Sequence, residues 1–183
     1  MKLNLEIIPR HQGLLAGQKN KVEFMVRISA PDEAVKTFKR KPLNLAIVID
    51  RSGSMADGKL EEAVRCAEYM VDGLDAMDRV AIVSYDDAVE VEVPSTQASN
   101  KAMIQTGLYR LCPRGMTNLH SGWLTGVEQV SAHSEGDYLS RVLLLSDGQA
   151  NRGLTSVHQI AEQCRSFVEA NVTTSTYGVG LNF

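Results

Sequence analysis

The chain has 183 residues, enough for one large domain or one domain with a short extension, and enough to bury a core without disulfides. Apolar residues make up 44% and charged residues 22%, an ordinary soluble globular balance, and the net charge of −3 gives no electrostatic case for nucleic acid or an acidic membrane. No stretch approaches eighteen apolar residues, so no membrane span is predicted, and MKLNLEIIPR lacks the apolar core of a secretory signal.

Residues 3–8 (LNLEII) and 21–29 (KVEFMVRIS) alternate apolar and polar, which predicts two half-buried antiparallel strands with Gly13 and Gly17 in the loop between them. Val22, Phe24, Val26 and Ile28 share one face. Residues 31–42 are polar, bounded by Pro31 and Pro42, and read as a linker. Their basic run KTFKRK is short enough to be a solvated surface segment. Residues 1–42 therefore form a β extension and linker.

The pattern changes at residue 43. LNLAIVI is a near-continuous apolar run, as in a strand covered on both faces. Leu60, Ala63, Val64, Ala67, Met70, Val71 and Leu74 then recur at helical spacing. RVAIVSY (79–85) is a second buried strand, and AVEVEV (88–93) alternates like an edge strand reached by a hairpin at Asp86-Asp87. A helix carries Met103, Ile104 and Leu108. A longer one begins near Asn118 and carries Leu119, Trp123, Leu124, Val127 and Val130. RVLLLS (141–146), a helix over 156–169 and a final strand in TTSTYGVG complete the order. Strands alternating with helices predict an α/β fold: a doubly wound, mostly parallel sheet with helices on both faces and one antiparallel edge strand, preceded by the N-terminal strands.

Cys66, Cys112 and Cys164 are odd in number and lack a C-x-x-C spacing. Cys66 and Cys164 fall on apolar or small-residue faces of their helices, which predicts buried free thiols and a reducing, cytoplasmic compartment.

Ligands of an open α/β sheet bind beyond the carboxyl ends of its strands. LAIVIDRSGSMADGK puts Asp50, Ser52 and Ser54 just past the first buried strand, and LLLSDGQAN puts Asp147 just past the third. Thr117 precedes the long helix in GMTNL. Carboxylates and hydroxyls are hard oxygen donors suited to Mg2+, and less exclusively to Mn2+ or Ca2+, and no His or Cys sits in the motif, which argues against zinc. The same stretch carries a rival pattern. GSMADGK (53–59) follows a strand, opens a helix and fits most of a phosphate-binding loop, but Leu60 stands where a Ser or Thr would meet Mg2+. That reading also leaves Thr117 and Asp147 idle. It makes Lys59 a phosphate ligand; the metal reading leaves Lys59 an ordinary first-turn helix residue.

Asp50-x-Ser52-x-Ser54 with Thr117 and Asp147 resembles the metal-ion-dependent adhesion site (MIDAS) of von Willebrand factor A (VWA) domains, in the family's order and with all five positions intact. The resemblance covers about residues 43–181. It implies direct hydroxyl ligation by Ser52 and Ser54, Thr117 as a switchable ligand, and Asp50 and Asp147 acting largely through waters. It also implies a protein partner that offers an Asp or Glu carboxylate to the ion. The family adds a further helix after the last strand, which residues 43–183 lack on this reading. The phrases RVAIVSYDD and RVLLLSDGQANRG resemble bacterial VWA proteins that serve as adaptors or regulatory subunits of larger cytoplasmic complexes, such as those of AAA+ ATPases or of stress and modification systems. A cell-surface adhesin is the alternative within the family. No enzyme activity is expected: there is no G-x-S-x-G elbow, and His11, His120, His133 and His158 are not set beside a nucleophile. His120, near Thr117, reads as a surface histidine.

Overall fold

The computed structural model describes residues 4–10, 13, 16, 17, 19, 21–29, 40–134, 136–148 and 150–180, which divide into two units, Met1–Arg40 and Lys41–Phe183. In the first unit β1 (Asn4–Pro9) pairs antiparallel with β2 (Phe24–Ser29), with Leu5 opposite Ile28 and Ile7 opposite Val26. The pairing follows the alternation, but the expected half-burial does not. Leu5, Ile7, Phe24 and Ile28 are all at least 60% exposed, because a two-stranded ribbon supplies no second layer of its own. The basic run and most of the linker over 31–42 lie outside the described residues.

The second unit is an α/β fold. Its five strands are β3 (Leu43–Asp50), β4 (Arg79–Tyr85), β5 (Val89–Gln97), β6 (Leu139–Ser146) and β7 (Val172–Gly178), in the spatial order β5-β4-β3-β6-β7. β3 pairs parallel with β4 and β6, β6 pairs parallel with β7, and only the β4–β5 pair is antiparallel. β5 runs four residues beyond the predicted AVEVEV, through Pro94. A proline is tolerated there because β5 is an edge strand with one side free of ladder bonds.

The unbroken apolar run of β3 is explained by its two covered faces. Leu45, Ile47 and Ile49 join one core with α1 (Lys59–Asp72) and α2 (Lys101–Leu108). Ala46 and Val48 join the other with Trp123, Val127 and Val130 of α3 (Leu119–Ser131). Cys164 and Phe167 of α4 (Val157–Glu169) pack against that second core. Two glycines let α3 approach the sheet. A Cβ on Gly122 would sit 2.5 Å from the Tyr85 ring, and one on Gly126 would sit 2.5 Å from Val48 Cγ2.

The buried-thiol expectation is corrected. Cys66 and Cys112 are exposed and Cys164 is half-buried. The core-facing arc of α1 is Leu60, Ala63, Ala67 and Val71, and position 66 lies about 100° round the helix from Ala67.

The chain leaves β3 through α1 to one neighbour, β4, and later enters β6 on the other side. The carboxyl edge between β3 and β6 is therefore a switch point, where the following loops part and leave a crevice.

Candidate metal centre

The five predicted residues come from three loops at that edge. Asp50 ends β3 beside Ser146, which ends β6; their neighbours Ile49 and Leu145 are register partners. Ser52 precedes a 3-10 turn, Gly53–Met55, that contains Ser54. Asp147 follows β6 directly. Thr117 stands just before Asn118, whose side chain caps α3 by accepting from Ser121 N. The Thr117 hydroxyl is thus not needed as the helix cap. Asp50, Ser52, Thr117 and Asp147 are buried and Ser54 is half-buried.

Asp50 is held by three donors. Ser52 N–H donates to Oδ1 at 2.9 Å, and Ser146 Oγ and Tyr85 Oη donate to Oδ2 at 2.7 and 3.2 Å. Burial, and then the neighbouring Asp50 charge, push the Tyr85 phenol well above its ordinary pKa, so it remains a neutral donor. The Ser52 and Ser54 hydroxyls lie 3.1 Å apart. Thr117 is fixed through its backbone: its N–H donates to Asn151 Oδ1 at 2.9 Å, and its carbonyl accepts from Asn151 N and Arg152 N. Gly53 N–H donates to the Gly115 carbonyl at 3.1 Å, tying the serine loop to the threonine loop.

Asp147 is different. Its side chain is 1% exposed, and Oδ1 has no hydrogen-bond partner among the described residues. An unpaired buried carboxylate oxygen is costly unless something positive completes it. Its other oxygen, Oδ2, lies 3.0 Å from Lys59 Nζ, which also donates to the Ser54 carbonyl at 2.9 Å. The expectation that Lys59 is an ordinary helix residue is thereby corrected: its ammonium reaches into the centre. The donor set passes the test for a divalent ion. Two buried carboxylates, one with an orphaned oxygen, and the hydroxyl residues Ser52, Ser54 and Thr117 on the adjoining loops offer charge and hard ligands. Among the described residues, this edge included, no group of three or more His, Cys, Asp or Glu is placed to hold a metal ion, so a cation here would depend on hydroxyls as well as on the two aspartates.

A buried ion-pair network beside the centre escaped the sequence reading. Arg51 and Asp86 side chains are each 4% exposed and pair at 2.8 Å. Arg51 Nη1 reaches Glu90 Oε2 and Glu92 Oε1 at 3.2 and 3.3 Å, and Arg114 Nε donates to Asp86 Oδ2 at 2.7 Å. Burial raises the Asp86 pKa, but the Ala88 N–H and the two guanidiniums outweigh it and hold the carboxyl below its usual range. Arg51 lies between two recognised positions as the unassigned x of D-x-S. An arginine inside a buried apolar-to-serine junction was the one available signal. Nothing nearby in sequence marked Asn151. His120 faces α4 rather than the metal edge, with Nε2 at 2.6 Å from Gln163 Oε1 and its ring 5.8 Å from Trp123.

Residues 44–182 match the sequence profile of the von Willebrand factor type A domain. The chain belongs to that family. Among VWA relatives, an uncharacterized protein of Synechocystis, sll0103, is 30% identical over 153 residues, covering 84% of this chain and 36% of its own. The chain thus spans about a third of that relative's length. Proximal thread matrix protein 1 of the mussel byssus, solved with a zinc-occupied MIDAS motif, superposes with a TM-score of 0.65 at 20% identity over 78% of this chain and 39% of its own. The manganese-loaded TRAP protein of Plasmodium vivax superposes with a TM-score of 0.64 at 17% identity over 78% of this chain and 59% of its own.

Proposed function

We propose that this VWA domain is a metal-dependent binding module, not an enzyme, and that Asp50, Ser52, Ser54, Thr117 and Asp147 hold a divalent cation, Mg2+ by the hardness of its donors. The observation that carries the reading is the orphaned, buried Asp147 Oδ1 at the edge where Asp50 and the three hydroxyl residues converge. When bound, the ion would offer a partner's Asp or Glu carboxylate an electrophilic docking point. The chain's residues prepare that point. Asp50 is locked by Ser52, Tyr85 and Ser146, and Thr117 is locked by Asn151, so little ordering remains to be done on binding. The phosphate-loop alternative is disfavoured because the Lys59 ammonium is engaged by Asp147 and because two buried carboxylates would repel a phosphate.

An adaptor role in a larger cytoplasmic complex, for example one containing an AAA+ ATPase, belongs to the same proposal. It rests on the resemblance of RVAIVSYDD and RVLLLSDGQANRG to bacterial VWA proteins of that kind. Calorimetric titration of Mg2+ into the wild type and Asp50→Ala tests the site, with binding expected only in the wild type. Equal affinity in both would sink the metal reading.

A further inference from the structure

We infer that Lys59 is a tethered counter-ion of this centre, which holds Asp147 when no metal is bound and competes with the metal for that carboxylate. The inference rests on the metal-site reading and adds a regulator to it. The ammonium of Lys59, on a side chain 33% exposed, bridges Asp147 Oδ2 and the Ser54 carbonyl at 3.0 and 2.9 Å. It therefore joins the first loop of the site to the last. Its aliphatic stem is covered by the backbone at Gly180, where a Cβ would come within 3.3 Å of Lys59 Cε. Gly180 has φ +97 and follows Val179, whose N–H donates to the Ser146 carbonyl at 3.0 Å, so β6 itself positions the cover over the lysine.

The charge balance gives the consequence. Asp50 and Asp147 bring two negative charges into a buried setting, and among the described residues Lys59 is the cation in contact with Asp147. A divalent ion entering beside Asp147 meets a fixed positive charge on the same carboxylate. Coulomb repulsion at such range is strong enough to weaken metal binding by about ten-fold or more even with partial solvent screening. With the ion bound, two carboxylates face three positive charges. The loaded centre then carries a net positive charge that favours an anionic partner over a neutral carbonyl.

The test compares wild type, Lys59→Met and Lys59→Arg. Mn2+ affinity is read by the loss of free-ion electron paramagnetic resonance signal, and melting is followed in EDTA. Methionine keeps the aliphatic stem under Gly180 and removes the charge; arginine keeps the charge. The expected result is Mn2+ binding about ten-fold tighter in Lys59→Met, a lower melting temperature for that variant in EDTA, and near-wild-type values for Lys59→Arg. Equal or weaker Mn2+ binding by Lys59→Met overturns the proposal, because the lysine would then only orient Asp147. Absence of Mn2+ binding in all three proteins overturns the metal-site reading itself, and is told apart from equal binding by all three, which overturns only the role of Lys59.

Discussion

The two rims of the centre are built differently. On the β4–β5 side, Arg51, Asp86, Glu90, Glu92 and Arg114 form a closed network, and backbone bonds stitch its loops together: Arg51 N–H to the Tyr85 carbonyl, Arg114 N–H to the Arg51 carbonyl, and Asn118 N–H to the Asp86 carbonyl. Every charge there has an opposite charge from the chain itself. On the β6 side, Asp147 is as deeply buried, yet one oxygen is orphaned and the other meets a single lysine. The charges of the first rim are all paired within the chain, although Arg51 Nη2, 2.7 Å from Glu90 Oε1, completes no hydrogen bond of good geometry. On the second, Asp147 Oδ1 has no hydrogen-bond partner among the described residues, and the proposed cation would complete it. A binding site needs both: a rigid wall that fixes the hydroxyls, and an unsatisfied edge that supplies the driving force.

The sharpest way to break that comparison is to attack the closed rim. Arg51→Met leaves Asp86 and Glu92 short of their buried partner, and unfolding by urea should show a loss of about 3 kcal/mol. Asp147→Asn, on the open rim, should cost well under that in EDTA, while abolishing stabilisation by Mg2+. In the wild type that stabilisation amounts to about 2.7 kcal/mol at a hundred-fold excess over the dissociation constant. Equal losses in EDTA for the two variants would erase the difference between the rims.

A smaller effect is expected where α3 meets the sheet. Gly122→Ala drives a methyl into the Tyr85 ring and should cost about 2 kcal/mol by overpacking. It should also weaken metal binding, because Tyr85 is a donor to Asp50. Tyr85→Phe removes only that donor, and a loss of about 1 kcal/mol is expected by thermal or chemical denaturation.

The acid limb of stability sharpens the contrast further. The folded pKa of Asp86 is depressed, so its contribution is present above the unfolded value, about 3.9, and is lost as pH falls through the folded one. Asp86→Asn should therefore flatten the decline of stability below about pH 4, measured as urea midpoint against pH. An unchanged acid limb would mean that the network does not govern acid unfolding.

Much of this was legible in sequence because it is local. Runs of apolar residues marked the buried strands, 3.6-residue spacing marked the helices, and the positions after strand ends marked Asp50, Ser52, Ser54 and Asp147. Lys59 was misread because its helical context was visible while its partner, Asp147, is distant in sequence. Arg51 was passed over for the same reason: Asp86, Glu90 and Glu92 reach it only after β4 and β5 pair. Cys66 was placed inside by a helical stripe read one position too wide.

Composition and periodicity by themselves determined the α/β class and the edge strand, and the oxygen-bearing residues just past strand ends and before the long helix marked the sheet edge to inspect. Those follow from chain-local rules of burial and backbone geometry. Tertiary structure alone decided which of the gathered groups are satisfied. Hydrogen bonds and ion pairs between residues far apart in sequence depend on strand order and register, so only the fold could show Asp50 held by three donors, Arg51 enclosed by carboxylates and Asp147, beside Lys59, with one oxygen unpartnered among the described residues.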